Sequence, residues 1–141
     1  MQQFQSVFHI PTRGAGLYEF TGEAVAFCRA HGGGKGLLTL FVRHTSASLT
    51  IQENADADVQ RDLHEFFRRL VPENTPWFRH VLEGRDDMPA HIKSALTNVS
   101  LGIPVADGRP LLGTWQGIFL FEHRARAHDR QVIAHLIVDG C

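Results

Sequence analysis

Apolar and polar positions change period several times along this chain. Residues 3–10, QFQSVFHI, alternate loosely, with Phe4, Val7 and Phe8 apolar, and predict a strand ended by Pro11. From Leu17 the period turns helical: Leu17, Phe20, Ala24, Phe27 and Cys28 recur on one stripe, with Thr21 as a candidate cap. Gly32, Gly33 and Gly34, just after His31, stop that helix. Residues 37–43, LLTLFVR, form the strongest strand signal, apolar and partly β-branched. Residues 54–70 return to helical period. Asn54 stands as N-cap, Asp56 and Asp58 suit the positive end of the helix dipole, and Val59, Leu63, Phe66, Phe67 and Leu70 make the stripe expected to be buried.

Pro72 ends that helix, and residues 72–79 are irregular. Asp87 is placed to cap a further helix, with Pro89 in its first turn and Met88, Ile92, Ala95, Leu96 and Val99 as its apolar face. Gly102 stops it. Residues 103–112, IPVADGRPLL, read as a short strand, a turn at Asp107–Gly108 and the start of another strand. Residues 113–123 and 131–140 are strands on either side of the charged turn RARAHDR. Late strands so close in sequence should pair antiparallel. The expected fold is α+β: one compact domain over residues 1–141, with an antiparallel sheet and helices packed on one face.

Composition narrows the function classes. The 141 residues suit one domain, 43% are hydrophobic, and the formal charge is -1. That charge gives no basic field for nucleic acid, so no nucleic-acid partner is expected. Two cysteines, Cys28 and Cys141, are too few for a disulfide scaffold; Cys28 reads as core and Cys141 as an exposed or frayed end. The N-terminus lacks the pattern of a signal peptide, and no apolar run approaches the ~20 residues of a membrane span. A cytoplasmic protein with no membrane partner is the expectation.

Chemistry concentrates in two stretches. HVLEGRDDMPAH, residues 80–91, holds His80, Glu83 and His91, and His44 ends the strong strand. Histidines at element ends can converge as metal ligands do, although solvated loop histidines would share the pattern. HTSAS sets Thr45, Ser46 and Ser48 beside His44, where hydroxyls could hold an oxyanion or phosphate, or could satisfy turn backbone. A serine nucleophile is disfavoured, because adjacent residues in a strand face opposite ways. Glu53 and Asn54 stand where a helix begins and read either as caps or as groups that orient a ligand histidine. Trp115 and Gln116 offer an aromatic wall with an amide beside it, suited to a flat ligand or a subunit interface, with core as the ordinary outcome for Trp. GGGKG, residues 32–36, lacks the spacing of a phosphate loop. The arginines at 124, 126 and 130 make a small basic turn, adequate for an anion.

HTSASLTIQENADADVQRDL, the run from His80 through EG to AHIKSAL, IPVADGRPLLGTWQGIFLFEHR and RQVIAHLIVDG together resemble the YjbQ-like family over about residues 4–140. The family is also called the secondary thiamine-phosphate synthase family. The resemblance implies a compact α+β fold with an antiparallel sheet, assembled as a homotrimer, with a histidine-rich metal pocket. It places metal ligands on His44, His80 and His91, the pattern's acid on Glu83, and its EN pair on Glu53 and Asn54. Where the family often carries DGPR, this chain has HRARAHDR, so a Gly-Pro turn role does not carry over.

The activity implied joins a pyrimidine-methyl pyrophosphate to a thiazole phosphate and expels pyrophosphate. Three histidines favour Zn²⁺ over Mg²⁺ as the divalent metal. Glu83 and Glu53 are then the candidate catalytic acids. Thr45, Ser46, Ser48, Asn54, Trp115, Gln116 and Arg130 are the candidate contacts to a small substrate, possibly phosphorylated. Two alternatives stay open: a metal-dependent hydrolase of a small phosphorylated or heterocyclic compound, and a binder of metal or ligand without turnover. Surplus aromatics such as Trp77, Phe78 and Trp115 also suit a homotrimer, with a pocket that neighbouring subunits could share.

Overall fold

A computed structural model describes residues 1–140, so the expectation for Cys141 lies outside the described residues. The elements run β1 (Gln2–Thr12), β2 (Gly16–Glu19), α1 (Thr21–Ala30), β3 (Lys35–Val42), β4 (Ala47–Glu53), α2 (Ala57–Leu70), α3 (Asp87–Leu96), β5 (Ser100–Ala106), β6 (Arg109–Pro110), β7 (Gln116–Glu122) and β8 (His128–Val138). The α+β class holds, and every strand pair is antiparallel. The strands divide between two sheets where one was expected: β1-β8-β3-β5-β6 and β2-β7-β4.

Alternation decides which faces meet. Leu38, Leu40 and Val42 of β3 and Val132, Ala134 and Leu136 of β8 point inward, where they meet Leu49 of β4 and Ile118 and Leu120 of β7. The core therefore lies between the two sheets. Helix α1 joins it through Ala24, Phe27 and Cys28, and Phe8 meets the rings of Phe20 and Phe27 edge-on. Cys28 is core as expected, and burial pushes its thiol up to about 11. Helices α2 and α3 lie on the outer side of the small sheet. There Phe67 meets Phe121 edge-on and Ser94 donates to the carbonyl of Ala47.

Several local expectations shift. Strand β1 continues through Pro11 to Thr12, because β1 is the sheet's edge and an edge strand tolerates a missing N–H. The expected single helix around Leu17 becomes β2 and then α1, since Leu17 and Tyr18 pair with Phe121 and Leu120. Residues 47–53 form the unassigned strand β4. Helix α2 is capped by Asp56, not Asn54, because Glu53 already ties the amides of Ala55 and Asp56 into a turn. None of its apolar stripe is buried: Phe66 is 57% and Leu70 52% exposed. In α3 the buried positions are Asp87, Pro89, Ala90 and Ser94, while Leu96 and Val99 of the expected apolar face are exposed. The turn at Asp107–Gly108 is as expected, with φ 52° and 74° at its two centres.

Candidate metal centre

The loop between α2 and α3 and the first turns of α3 supply one cluster. His80, Glu83, Asp87 and His91 each present a donor atom within 4.8 Å of the others. Asp87 and His91 stand four apart, so α3 puts both on one face. Asp87 Oδ2 lies 2.6 Å from His80 Nε2 and 3.0 Å from His91 Nε2, and Glu83 Oε2 lies 3.0 Å from His80 Nε2. Gly84, with φ 101°, lets the loop double back after Glu83, a backbone angle that other residues rarely adopt.

Two nitrogens of His91 define its state. Nδ1 is 2.8 Å from the carbonyl of Thr45, which only accepts, so Nδ1 carries a proton. A neutral His91 therefore turns its Nε2 lone pair toward Asp87 Oδ2, an acceptor facing an acceptor. A second proton on His91 resolves that contact, and so does a cation among the four groups. A histidine whose one N–H is fixed by a backbone carbonyl, leaving the other nitrogen to face the ion beside carboxylate donors, is how metal sites orient imidazole, so the donor set fits a divalent ion.

Asp87 is almost fully buried. Burial pushes its carboxyl up, but the His80 hydrogen bond and the charges of His91 and Arg124 outweigh this and hold it below the usual range. The Asp87 hydrogen bond raises His80 in turn, against partial desolvation. Arg124 reaches three acceptors of this loop: Asp87 Oδ1 at 2.7 Å, Asp86 Oδ2 at 3.0 Å and the Glu83 carbonyl at 3.0 Å.

A second arginine braces the other side. Glu122 is fully buried and accepts from Arg130, from the Thr12 hydroxyl and from the amides of His123 and Arg124. Arg130 also donates to the Ser46 hydroxyl and carbonyl. It thereby fixes the His44–Ser46 connection, and with it the Thr45 carbonyl that orients His91. The β7–β8 connection and the start of β8 thus carry the two guanidiniums, Arg124 and Arg130, that hold the two loops together.

The residues expected at the site fall into four groups. His80, Glu83 and His91 come together, joined by Asp87. His44 is outside that foursome. Its Nε2 accepts the Gln131 amide at 2.9 Å, and it shares with Thr45, His91, Ser94, Ala95 and Val99 a cavity of about 260 Å³. Burial, then the Arg130 charge, lowers its pKa. Ser46, Ser48 and Arg130 lie inside, with Ser48 bonded to His123 Nε2 at 2.9 Å and to the Thr97 hydroxyl at 2.6 Å. Glu53, Asn54, Trp115 and Gln116 gather at the far end of the small sheet. Ala47 pairs with Glu122 at the near end and Glu53 with Gln116 at the far end, roughly 20 Å away at strand rise. There Asn54 donates to Glu19, Gln116 accepts the Gly113 amide, and Trp115 is 62% exposed.

The sequence reading had Asp87 only as a helix cap and Arg124 only in a small basic turn, neither in the histidine cluster. The D-x-x-x-H spacing of Asp87 and His91 carries a signal for the first. A buried arginine from a turn 37 residues later carries none.

Comparison with known proteins identifies the group to which this architecture belongs. The family described as "UPF0047 protein YjbQ-like" matches residues 6–139. The chain belongs to the YjbQ-like family. It is 55% identical over 135 residues to UPF0047 protein sll1880 of Synechocystis, covering 96% of this chain and 92% of that one. It is 52% identical over 101 residues to UPF0047 protein YjbQ of Escherichia coli O157:H7, covering 72% of each. Among solved structures it resembles the conserved hypothetical protein TT1486 of Thermus thermophilus, with TM-score 0.80, 38% identity, and coverage of 91% of this chain and 97% of that one. The hypothetical protein APE1520 of Aeropyrum pernix gives TM-score 0.83 at 28% identity, over 99% of this chain and 100% of that one. No helix of the described residues is long and apolar enough to cross a membrane.

Proposed function

We propose that this YjbQ-like chain is a metal-dependent enzyme acting on a small phosphorylated compound, with thiamine-phosphate synthase-like transfer as its first reading. The observation that carries the metal is His91: its Nδ1 is committed to Thr45, and its Nε2 is aimed at Asp87 among four converging donors. Two imidazoles and two carboxylates favour Zn²⁺ or a similar ion over Mg²⁺. Bound there, the ion supplies Lewis acidity toward a phosphoryl or carbonyl oxygen. His44 would add a ligand through Nε2 once the Gln131 amide is released, since while Nε2 accepts that amide the neutral ring carries its proton on Nδ1.

The surroundings support a small anionic substrate. The cavity shared by His44 and His91 is small and adjoins the cluster. On the other side, a groove of about 530 Å³ is lined by Leu82, Glu83, Gly84, Arg85, Asp86, Arg124 and Arg126. Arg124 is spent on Asp86 and Asp87, which leaves Arg85 and Arg126 for an anion. Glu83, the most exposed of the four donors at 65%, would be the one to leave the ion and move a proton. That exposed carboxylate equally serves a hydrolase, which is the second reading.

Assembly belongs to the same proposal. A ring of three would cover the exposed apolar residues of α2 and α3 and bring the far end of one small sheet toward the histidines of the next.

Incubation with the pyrimidine pyrophosphate and thiazole phosphate precursors, with Zn²⁺, Mn²⁺ and Mg²⁺ in turn, tests the activity. Thiamine phosphate dependent on metal supports the first reading. Release of inorganic phosphate from phosphorylated heterocycles, without joining, selects the hydrolase. Neither product with any ion overturns the enzyme and leaves a ligand binder.

A further inference from the structure

Asp87 offers its two oxygens to different partners. Oδ1 accepts from Arg124 Nη1 at 2.7 Å, while Oδ2 alone faces His80 and His91. Arg124 is itself held on three sides, by Asp86, Asp87 and the Glu83 carbonyl, and only 10% of its side chain is exposed. A guanidinium whose three nitrogens each hold a different acceptor cannot swing away, so its single bond keeps Asp87 Oδ1 occupied. The Asp86 carboxylate also accepts the Ala125 amide at 2.8 Å, which ties the whole assembly to the chain after β7.

We propose that Arg124 is a positioning residue that sets the denticity of Asp87 toward the metal. Resting on the metal reading above, it keeps Oδ1 occupied, so that Asp87 ligates through Oδ2 alone and the centre stays at low coordination with room for substrate. Without the guanidinium both oxygens are available. A chelating carboxylate raises the coordination number and suits larger, oxygen-preferring ions such as Mn²⁺ or Ca²⁺. The same loss frees the Glu83 carbonyl and loosens the loop that carries His80 and Glu83.

Cobalt(II) reads this directly, because its visible bands are strong at four or five coordination and weak at six. The purified full chain, stripped and reloaded with Co²⁺, is expected to show strong bands. Arg124→Gln is expected to bind Co²⁺ about 10–100-fold more weakly, the usual loss for a group behind a ligand, and to show weak bands at saturation. Its preference for Zn²⁺ over Mn²⁺ should fall. Arg124→Lys keeps the charge but not the fork and should lie between the two. Asp86→Asn, which leaves Asp87 and its guanidinium contact in place, should keep the strong bands.

A role in folding alone would lower the apo-protein melting temperature of Arg124→Gln and leave its saturated spectrum unchanged; that result overturns the proposal. Should neither Arg124 variant fold, the wild-type spectrum decides, since weak six-coordinate bands in the native chain also overturn it. A wild type that takes up no ion defeats the metal centre itself and the Arg124 role with it. Strong bands unchanged in Arg124→Gln defeat only the Arg124 role.

Discussion

His91 turns its Nε2 to within 3.0 Å of Asp87 Oδ2, one turn away on α3, while the Thr45 carbonyl holds its other nitrogen at 2.8 Å. The pair therefore ties α3 to the distant loop after β3, and through His80 on the same Asp87 oxygen to the loop that precedes α3. A neutral imidazole facing a carboxylate this way has no proton to share with it. The pair is at rest only with an extra proton or a cation between its members. Metal uptake should accordingly release protons and stabilise the fold, by about 2.7 kcal/mol at a hundredfold excess of ion over Kd.

Asp87→Ala should lower divalent-metal affinity by more than the roughly 10–100-fold typical of supporting groups, because it deletes the donor shared by both histidines. It also removes one of the two carboxylates on Arg124 and leaves Asp86 in place, so the apo protein should lose about 1.5–3 kcal/mol, the scale of one hydrogen bond to a charged group. Calorimetric metal titration and urea denaturation measure the two effects separately. Unchanged metal stoichiometry and affinity would remove Asp87 from the centre.

Glu122→Ala and Arg130→Ala should each destabilise the fold by about 3–5 kcal/mol, and the double variant by much less than their sum, since the two groups form one buried pair. Glu122 is held below the usual carboxylate range: burial opposes this, and the bonds from Arg130 and Thr12 prevail. Arg130→Ala should also weaken metal binding indirectly, because Ser46 loses the donor that fixes the Thr45 carbonyl. A double-mutant cycle in urea checks the pairing. An Arg130 variant of native stability would return that side chain to the list of substrate contacts.

His123 should make the protein acid-sensitive. Burial, chiefly, pushes its imidazole down to about 3, against about 6.5 in an unfolded chain. Between those values the unfolded state binds the extra proton and the folded state does not. Stability therefore rises with pH across that window and is lost as pH falls from about 6.5 toward 3, by up to about 1.4 kcal/mol per unit. His123→Gln should lack this slope while keeping a donor near Ser48. Urea midpoints of both proteins at pH 7, 6 and 5 test it. Parallel curves would mean that His123 protonates freely in the folded state.

How much of this was legible varies by residue, and the reasons are physical. Period-2 alternation in β3 and β8 is plain because one face of each strand meets a core and the other does not. Strand β4 was hidden because Ala47, Ser48 and Leu49 are all buried, one face by the core and the other by α3, which erases the alternation. The α2 stripe was legible as a helix but misleading as core: Phe66 and Leu70 have the right spacing and face no other element of this chain closely enough to be buried. His80, Glu83 and His91 could be grouped because they are near in sequence. Trp115 and Gln116 were grouped with them by chemistry and Glu53 and Asn54 by the family pattern as well, and a seven-residue strand puts all four at its opposite end. Arg124 depends on a long-range contact that no local pattern encodes.

That separation gives assembly a specific consequence. Leu96 and Phe66 are each more than half exposed on the two helices that share the outer side of the small sheet, and burying such residues contributes about 1.5–3 kcal/mol apiece. A trimer that covers them should persist on dilution, and Phe66→Glu with Leu96→Glu should reduce the mass seen by light scattering to that of one chain. A wild type that scatters as a monomer at every concentration would defeat the ring. If the ring also joins the Trp115 end of one chain to the His91 end of the next, the site is divided between subunits. Trp115→Ala and His91→Ala subunits would then each be inactive alone, and mixed trimers would recover a fraction of intact sites. Recovered turnover on mixing, with subunit exchange confirmed by native mass spectrometry, is the expected outcome. Exchange without recovery would mean that the far-end cluster of Glu53, Asn54, Trp115 and Gln116 serves something other than the histidine site.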